Sequence, residues 1–262
     1  MAPYDFEAPD ADIILRSSDG KEFRVHKVIL SLASPVFQGM FDLPQPKEPT
    51  PVVDFPESSD VLQPFVQYLY PCSPPKISDL AMWADLYTVA DKYSTEVVTD
   101  LLRDMLIPRF LETSPLRVYA LASHWGFEEE AKVASTRTLI MDISSGFSEE
   151  DANLMGSVAC QKLFLLHIQR REKAPTLVAA RPYPYADSRG CFCPPLDFSA
   201  VVQAVSTYVS TKPWLTTEEL YQEAAETENT KMCGRFCRNS LQNIHLWISS
   251  ISRDISRLPQ TI

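Results

Sequence analysis

The side chains able to do chemistry in this chain are few, and their spacing argues against most reactions. Cys191-x-Cys193 and Cys233-x₃-Cys237 are two close pairs. Four thiolates can hold zinc tetrahedrally, so these pairs are the candidate metal set. Their spacing departs from the common CxxC knuckle, and a CxC pair strains a shared tetrahedral site. Reduced free thiols, with no metal, are therefore the expectation. Cys72 and Cys160 read as small packing residues. His26, His124, His167 and His245 lie far apart and form neither HxxxH nor HExxH. Between a strand and a helix, His26 suits a hydrogen-bonded structural role better than that of a base or ligand. The acidic runs Glu128–Glu130 and Glu149–Asp151 fall at helix starts, where capping and the helix dipole account for them. No GxxxxGK[ST], GxGxxG, GxSxG or HExxH pattern is present. The expectation is a non-enzymatic protein without a cofactor.

The elements behind these residues are organised around His26–Phe41, HKVILSLASPVFQGMF. It reads as two short helices back to back. Val28, Ile29, Leu32 and Ala33 are the expected inner face of the first. Pro35 cannot continue a helix but suits the first position of a new one, with Ser34 as its N-cap. The second helix is expected to bury Val36, Phe37, Met40 and Phe41. Upstream, Ile13 and Leu15 alternate with Ile14 and Arg16, and Phe23 and Val25 with Glu22 and Arg24; Ser18-Asp19-Gly20 between them predicts a hairpin. Residues 1–9 show no apolar period and are expected to lack order. Val52–Phe55 predicts a short strand.

Downstream the pattern is helical. A helix is expected from near Gln63, with Pro64 in its first turn, and another after Ser78, carrying Trp83 and Tyr87 as core. Glu96–Leu106 is the next, then Ser114-Pro115 opens one that ends before Gly126. Asp151 to about Lys173 follows, and Thr176–Pro195 reads as a proline-rich connection. In the last helix, Leu241, Ile244, Ile248, Ile251, Ile255 and Leu258 recur at spacings of 3, 4, 3, 4 and 3. That seam predicts docking on the other helices rather than a free tail, with the helix's basic face meeting acidic surface.

Three segments in this order carry a family resemblance. His26-Lys27, Leu30, Ser34-Pro35-Val36-Phe37 and Met40-Phe41 resemble the central signature of the BTB/POZ family. Leu86–Tyr93 resembles that family's later helix, and Ser114–Ser135 resembles the helical segment after this domain in fungal BTB proteins. The signature positions are His26, Leu30, Ser34, Phe37, Phe41 and Tyr93. The resemblance implies protein–protein interaction and a homodimer, with Ile13, Ile14, Leu15, Asp12 and Lys27 at the dimer interface. Asp12 and Lys27 match positions that form a charged pocket there in some BTB transcription factors. Binding to a cullin scaffold requires a φ-x-Glu contact in the loop after Phe41; DLPQPKEPT lacks it. A catalytic helical C-terminal domain that uses the BTB part to dimerise is the reading from a different class.

Composition agrees with such a protein. The 262 residues carry 24 basic and 34 acidic side chains, a formal charge of −10, with 7 Gly and 21 Pro. An acidic chain is a poor binder of phosphate backbones, so no nucleic acid is expected. No apolar run approaches a membrane span and no apolar leader opens the sequence, so an intracellular protein is expected. The fold class is α+β: a BTB/POZ-like domain at 8–107, a helical extension at 108–175, then a proline-rich connection and C-terminal helices at 176–262.

Overall fold

Alternation drives the first element. In β1 (Ile13–Arg16) and β2 (Glu22–Val25), Ile13, Leu15, Phe23 and Val25 point inward and are buried. They pair antiparallel, Ile13 opposite Val25 and Leu15 opposite Phe23. Gly20 closes the turn at φ 86°, a region costly for other residues. The computed structural model describes residues 6–43, 50–143, 147–181, 199–211, 217–226 and 238–262. Among these, β3 (Val52–Asp54) pairs parallel with β1, giving a three-stranded sheet of order β2-β1-β3. β1 is therefore the central strand, with both edges occupied.

Residues 6–9 are more ordered than their composition predicts. Phe6 is buried, edge-on to Phe23 and to Tyr70 at 5.7 Å each, and its carbonyl accepts from the Arg24 amide.

The helices of the first unit are α1 (Lys27–Ala33), α2 (Pro35–Asp42), α3 (Ser59–Leu69), α4 (Leu80–Lys92) and α5 (Glu96–Phe110). Ser34 caps α2, its Oγ accepting from the Phe37 amide at 3.1 Å. α3 begins four residues before the expected Gln63, so Pro64 sits inside it rather than in its first turn. Burial of Leu62, Pro64, Phe65 and Val66 on one face offsets the lost amide. α4 is capped by Asp79, which accepts from the Met82 amide, not by Ser78, which instead donates to Asp79. Trp83 is wholly buried and donates from Nε1 to the Leu102 carbonyl at 2.7 Å, tying α4 to α5.

Chain contacts divide the molecule after Phe110. The second unit holds α6 (Pro115–His124), α7 (Glu128–Thr138), α8 (Glu149–Ala180), α9 (Ser199–Thr211), α10 (Thr217–Glu226) and α11 (Arg238–Ser256). α5 runs through Pro108 and α8 through Pro175, so the expected borders at 107 and 175 both lie within helices. α8 breaks at Gly156 (φ 73°) and then continues to Ala180, because Ala174 and Val178 are buried in a core with α9, α10 and α11. That core includes Val205, Leu220, Ile248, Ile251 and Ile255, so the last helix is docked. The charge pattern differs from expectation. The acid lies on α11, where Asp254 accepts from Arg181 at the end of α8.

Candidate protein-interaction face

The signature residues converge on α1, α2 and the turn after α4. Phe37 is fully buried among rings: Tyr93 stacked at 5.0 Å, Phe41 at 6.2 Å, and Phe55 and Phe65 tilted at 6.1 and 6.4 Å. Such pairs contribute about 0.5–1.5 kcal/mol each beyond area burial. Ser34 joins both ends of this cluster, capping α2 and donating its hydroxyl to the Tyr93 carbonyl. Glu57 accepts from Tyr93 Oη at 3.2 Å and from Lys92 Nζ at 2.6 Å. Burial raises the Tyr93 phenol above its ordinary value, so it stays protonated and able to donate.

The entry to α1 is held by side chains from distant elements. The Asp12 carboxylate accepts from the Lys27 amide at 2.8 Å, an anion at a helix N-terminus. The His26 amide donates to Tyr70 Oη at 2.8 Å, and His26 Nδ1 lies 3.0 Å from the same hydroxyl. His26 Nε2 is 3.5 Å from Asp10. This is a structural linkage between β2, α1 and the end of α3. Lys27 Nζ sits 5.9 Å from the Phe41 ring centroid, and Asp12 is exposed.

With α1 fixed in this way, Leu30 alone among its residues is fully buried. Val28 (62% exposed), Leu32 (85%) and Val36 at the start of α2 (41%) face outward, opposite to the expected burial of all three. Five apolar side chains in a helix of seven residues, at 28, 29, 30, 32 and 33, leave its phase ambiguous. The anchors at Asp12, Tyr70 and Ser34 decide it.

Two residues expected at an interface lie elsewhere. Ile13 and Leu15 have no exposed surface, because β1 is the central strand and both point into the core. Ile14 is half-buried, opposite Arg24 and Val52.

The remaining candidates are scattered. His124 Nδ1 lies 3.2 Å from the Leu154 carbonyl, His167 is buried, and His245 stands 6.1 Å from Tyr221, ring to ring. Cys191, Cys193, Cys233 and Cys237 lie outside the described residues; among the described residues no cluster of three His, Cys, Asp or Glu could hold a metal. Cys72 and Cys160 are half-buried free thiols, and burial pushes the Cys160 thiol up, away from the reactive thiolate. No described helix is long and apolar enough to cross a membrane.

A family model, the BTB/POZ domain, matches residues 6–109. The chain is similar to TD and POZ domain-containing protein 5 of Mus musculus, 34% identical over 90 residues that cover 33% of this chain and 26% of the relative. Protein 4 of the same series in mouse is 32% identical over 88 residues, 33% of this chain and 24% of the relative. The chain thus spans about a quarter of the length of these curated relatives. They are mouse proteins and lend no support to the resemblance to fungal members.

Proposed function

From the BTB/POZ domain at residues 6–109, which implies protein–protein interaction, we propose that this chain is a non-enzymatic adaptor or scaffold that self-associates through the outer face of α1 and the start of α2. The observation that carries this reading is the exposure of Val28, Leu32 and Val36 on adjoining helices whose inner faces are already locked. Aliphatic side chains grouped this way on a surface favour burial against another protein. Asp12 and Lys27 stand at the N-terminal end of α1 and would border the contact. In a dimer the Asp12 carboxylate keeps the α1 amide as a hydrogen-bond donor, which lessens the cost of covering it. The helical unit 111–262 offers separate surface for other proteins, which fits an adaptor.

A stable interface buries about 1,600 Å² in total, more than three side chains supply, so neighbouring residues of α1 and α2 must join them. Light scattering on the full chain at tens of micromolar tests this. The expected result is a dimer mass for the wild type and a monomer mass for Leu32→Asp, with identical circular dichroism. A wild-type monomer at that concentration would refute self-association.

A further inference from the structure

The inner face of α8 is fully used by the fold. Leu163, Leu166, His167, Arg170, Ala174 and Val178 are buried. Arg170 donates from Nη1 to the carbonyls of Leu258 (3.1 Å) and Pro259 (2.7 Å) and from Nη2 to that of Ile255 (3.1 Å), which ties α8 to the end of α11. The fold therefore needs nothing apolar on the other side of this helix. Yet Val158, Leu165 and Ile168 are exposed there, seven and three residues apart. At about 3.6 residues per turn they form one stripe, roughly opposite Leu163, Arg170 and Ala174. Phe164 stands at its edge, its ring 4.7 Å from that of Phe147.

Two opposite charges lie along the same stripe. Lys162 and Glu172 are both exposed, and neither is hydrogen-bonded or ion-paired to a described residue. Their placement is symmetric: Leu165 and Ile168 share a midpoint with Lys162 and Glu172, at Leu166–His167. A second α8 laid antiparallel across the stripe, with the two-fold axis at that midpoint, sets Leu165 of each copy against Ile168 of the other. The same register sets Lys162 of each copy against Glu172 of the other, and Val158 against the half-buried Pro175. A parallel pairing sets like charges together. A partner of one charge sign leaves either Lys162 or Glu172 opposed. Only a surface with the same pattern run in reverse satisfies both, which is the self-complementarity of a two-fold contact.

We propose that the outer face of α8, from Val158 to Glu172, is a second contact between copies of this chain, in which two α8 helices pair antiparallel about Leu166–His167. It lies in the second unit and stands apart from the α1 face. Three aliphatic side chains per copy cover much less than the about 800 Å² per partner of a standard interface. The exposed ion pairs add little strength but fix direction and register. The contact is therefore weak, formed at hundreds of micromolar and favoured wherever other contacts already hold copies together.

The test uses the full chain carrying Leu32→Asp, so that the α1 face does not contribute, followed by sedimentation equilibrium at hundreds of micromolar and low salt. The expected result is a mass that rises from monomer toward dimer with concentration. Adding Leu165→Asp should hold the mass at the monomer value, with helical circular dichroism unchanged. Adding Lys162→Glu instead should weaken the association several-fold, because it sets two carboxylates together. Adding Glu172→Lys to that variant should restore the association, since opposite charges again meet. A monomer mass at the highest concentration, an unchanged mass with Leu165→Asp or Lys162→Glu, or no recovery on adding Glu172→Lys would overturn the proposal. The α1 face is judged separately, on the wild type and Leu32→Asp at tens of micromolar, so either contact can fail alone.

Discussion

His167 gives the second unit a calculable dependence on pH. It is 1% exposed, and its Nε2 lies 3.1 Å from Thr138 Oγ1. That hydroxyl gives its own proton to the Ser135 carbonyl at 2.7 Å, so Nε2 must be the donor, and burial keeps the ring neutral. Nδ1 is then a bare acceptor, buried, with no hydrogen-bond partner among the described residues. Burial, then the charges of Arg171 and Arg170, push its pKa from 6.5 down to about 4; Asp142 opposes this weakly. Between those values the unfolded chain takes up a proton that the folded chain refuses. Stability is intact above about pH 6.5 and is lost as pH falls toward 4. The whole gap corresponds to about 3 kcal/mol, of which about 2 kcal/mol goes between pH 7 and pH 5. Urea unfolding followed by helical circular dichroism at both pH values measures the loss. The informative quantity is the difference between wild type and His167→Gln, which isolates this one group. The wild type should lose about 2 kcal/mol more than the variant. Equal losses in the two proteins would show that His167 is protonated in the fold or hydrated, and would refute the reasoning.

Two further outcomes follow from the packing and a third from the cysteine spacing. Phe37→Ala should destabilise by about 3–5 kcal/mol, since the ring is buried among four others; an unchanged Tm would contradict that burial. Trp83→Phe should lower stability by about 1–3 kcal/mol by removing the donor to the buried Leu102 carbonyl, and denaturant midpoints at constant m value measure it. Protein purified without chelator should contain far less than one zinc per chain by elemental analysis, given the spacing of the pairs at 191, 193, 233 and 237; one zinc per chain, lost together with the fold on chelation, would overturn this.

Three helices, two of them in the first unit, show how a proline signal can mislead. Pro64, Pro108 and Pro175 each stand inside a helix that continues past them. A proline costs its helix one hydrogen bond and some crowding at the preceding turn, about 3 kcal/mol in an isolated interior. Burial of flanking residues, Phe65 and Val66 beside Pro64, and Ala174 and Val178 around Pro175, opposes that cost at the same scale. The Arg170 grip on the end of α11 is a second case. In sequence it is one of three basic residues close together at 170, 171 and 173, indistinguishable from solvated charge; only the return of the chain 85 to 89 residues later makes it a buried donor.

What the sequence by itself determined is what short-range physics decides. Alternation over four residues placed Ile13, Leu15, Phe23 and Val25 inside, and Asp19-Gly20 closed the hairpin. Ser34 before Pro35 defined a cap that forms three residues away, and the spacing of Ile248, Ile251 and Ile255 announced a docked helix. The order of motifs marked the BTB/POZ domain. Tertiary structure alone decided which side of α1 faces water and that β1 is a central strand with no edge or core face to offer a partner. Both depend on contacts between distant residues: Val52–Asp54 joining the far edge of β1, Tyr70 reaching His26 across 44 positions, and Ser34 bonding Tyr93 across 59. A seven-residue helix apolar on most sides has no periodicity strong enough to choose its own face, so the face is chosen by whatever anchors its ends.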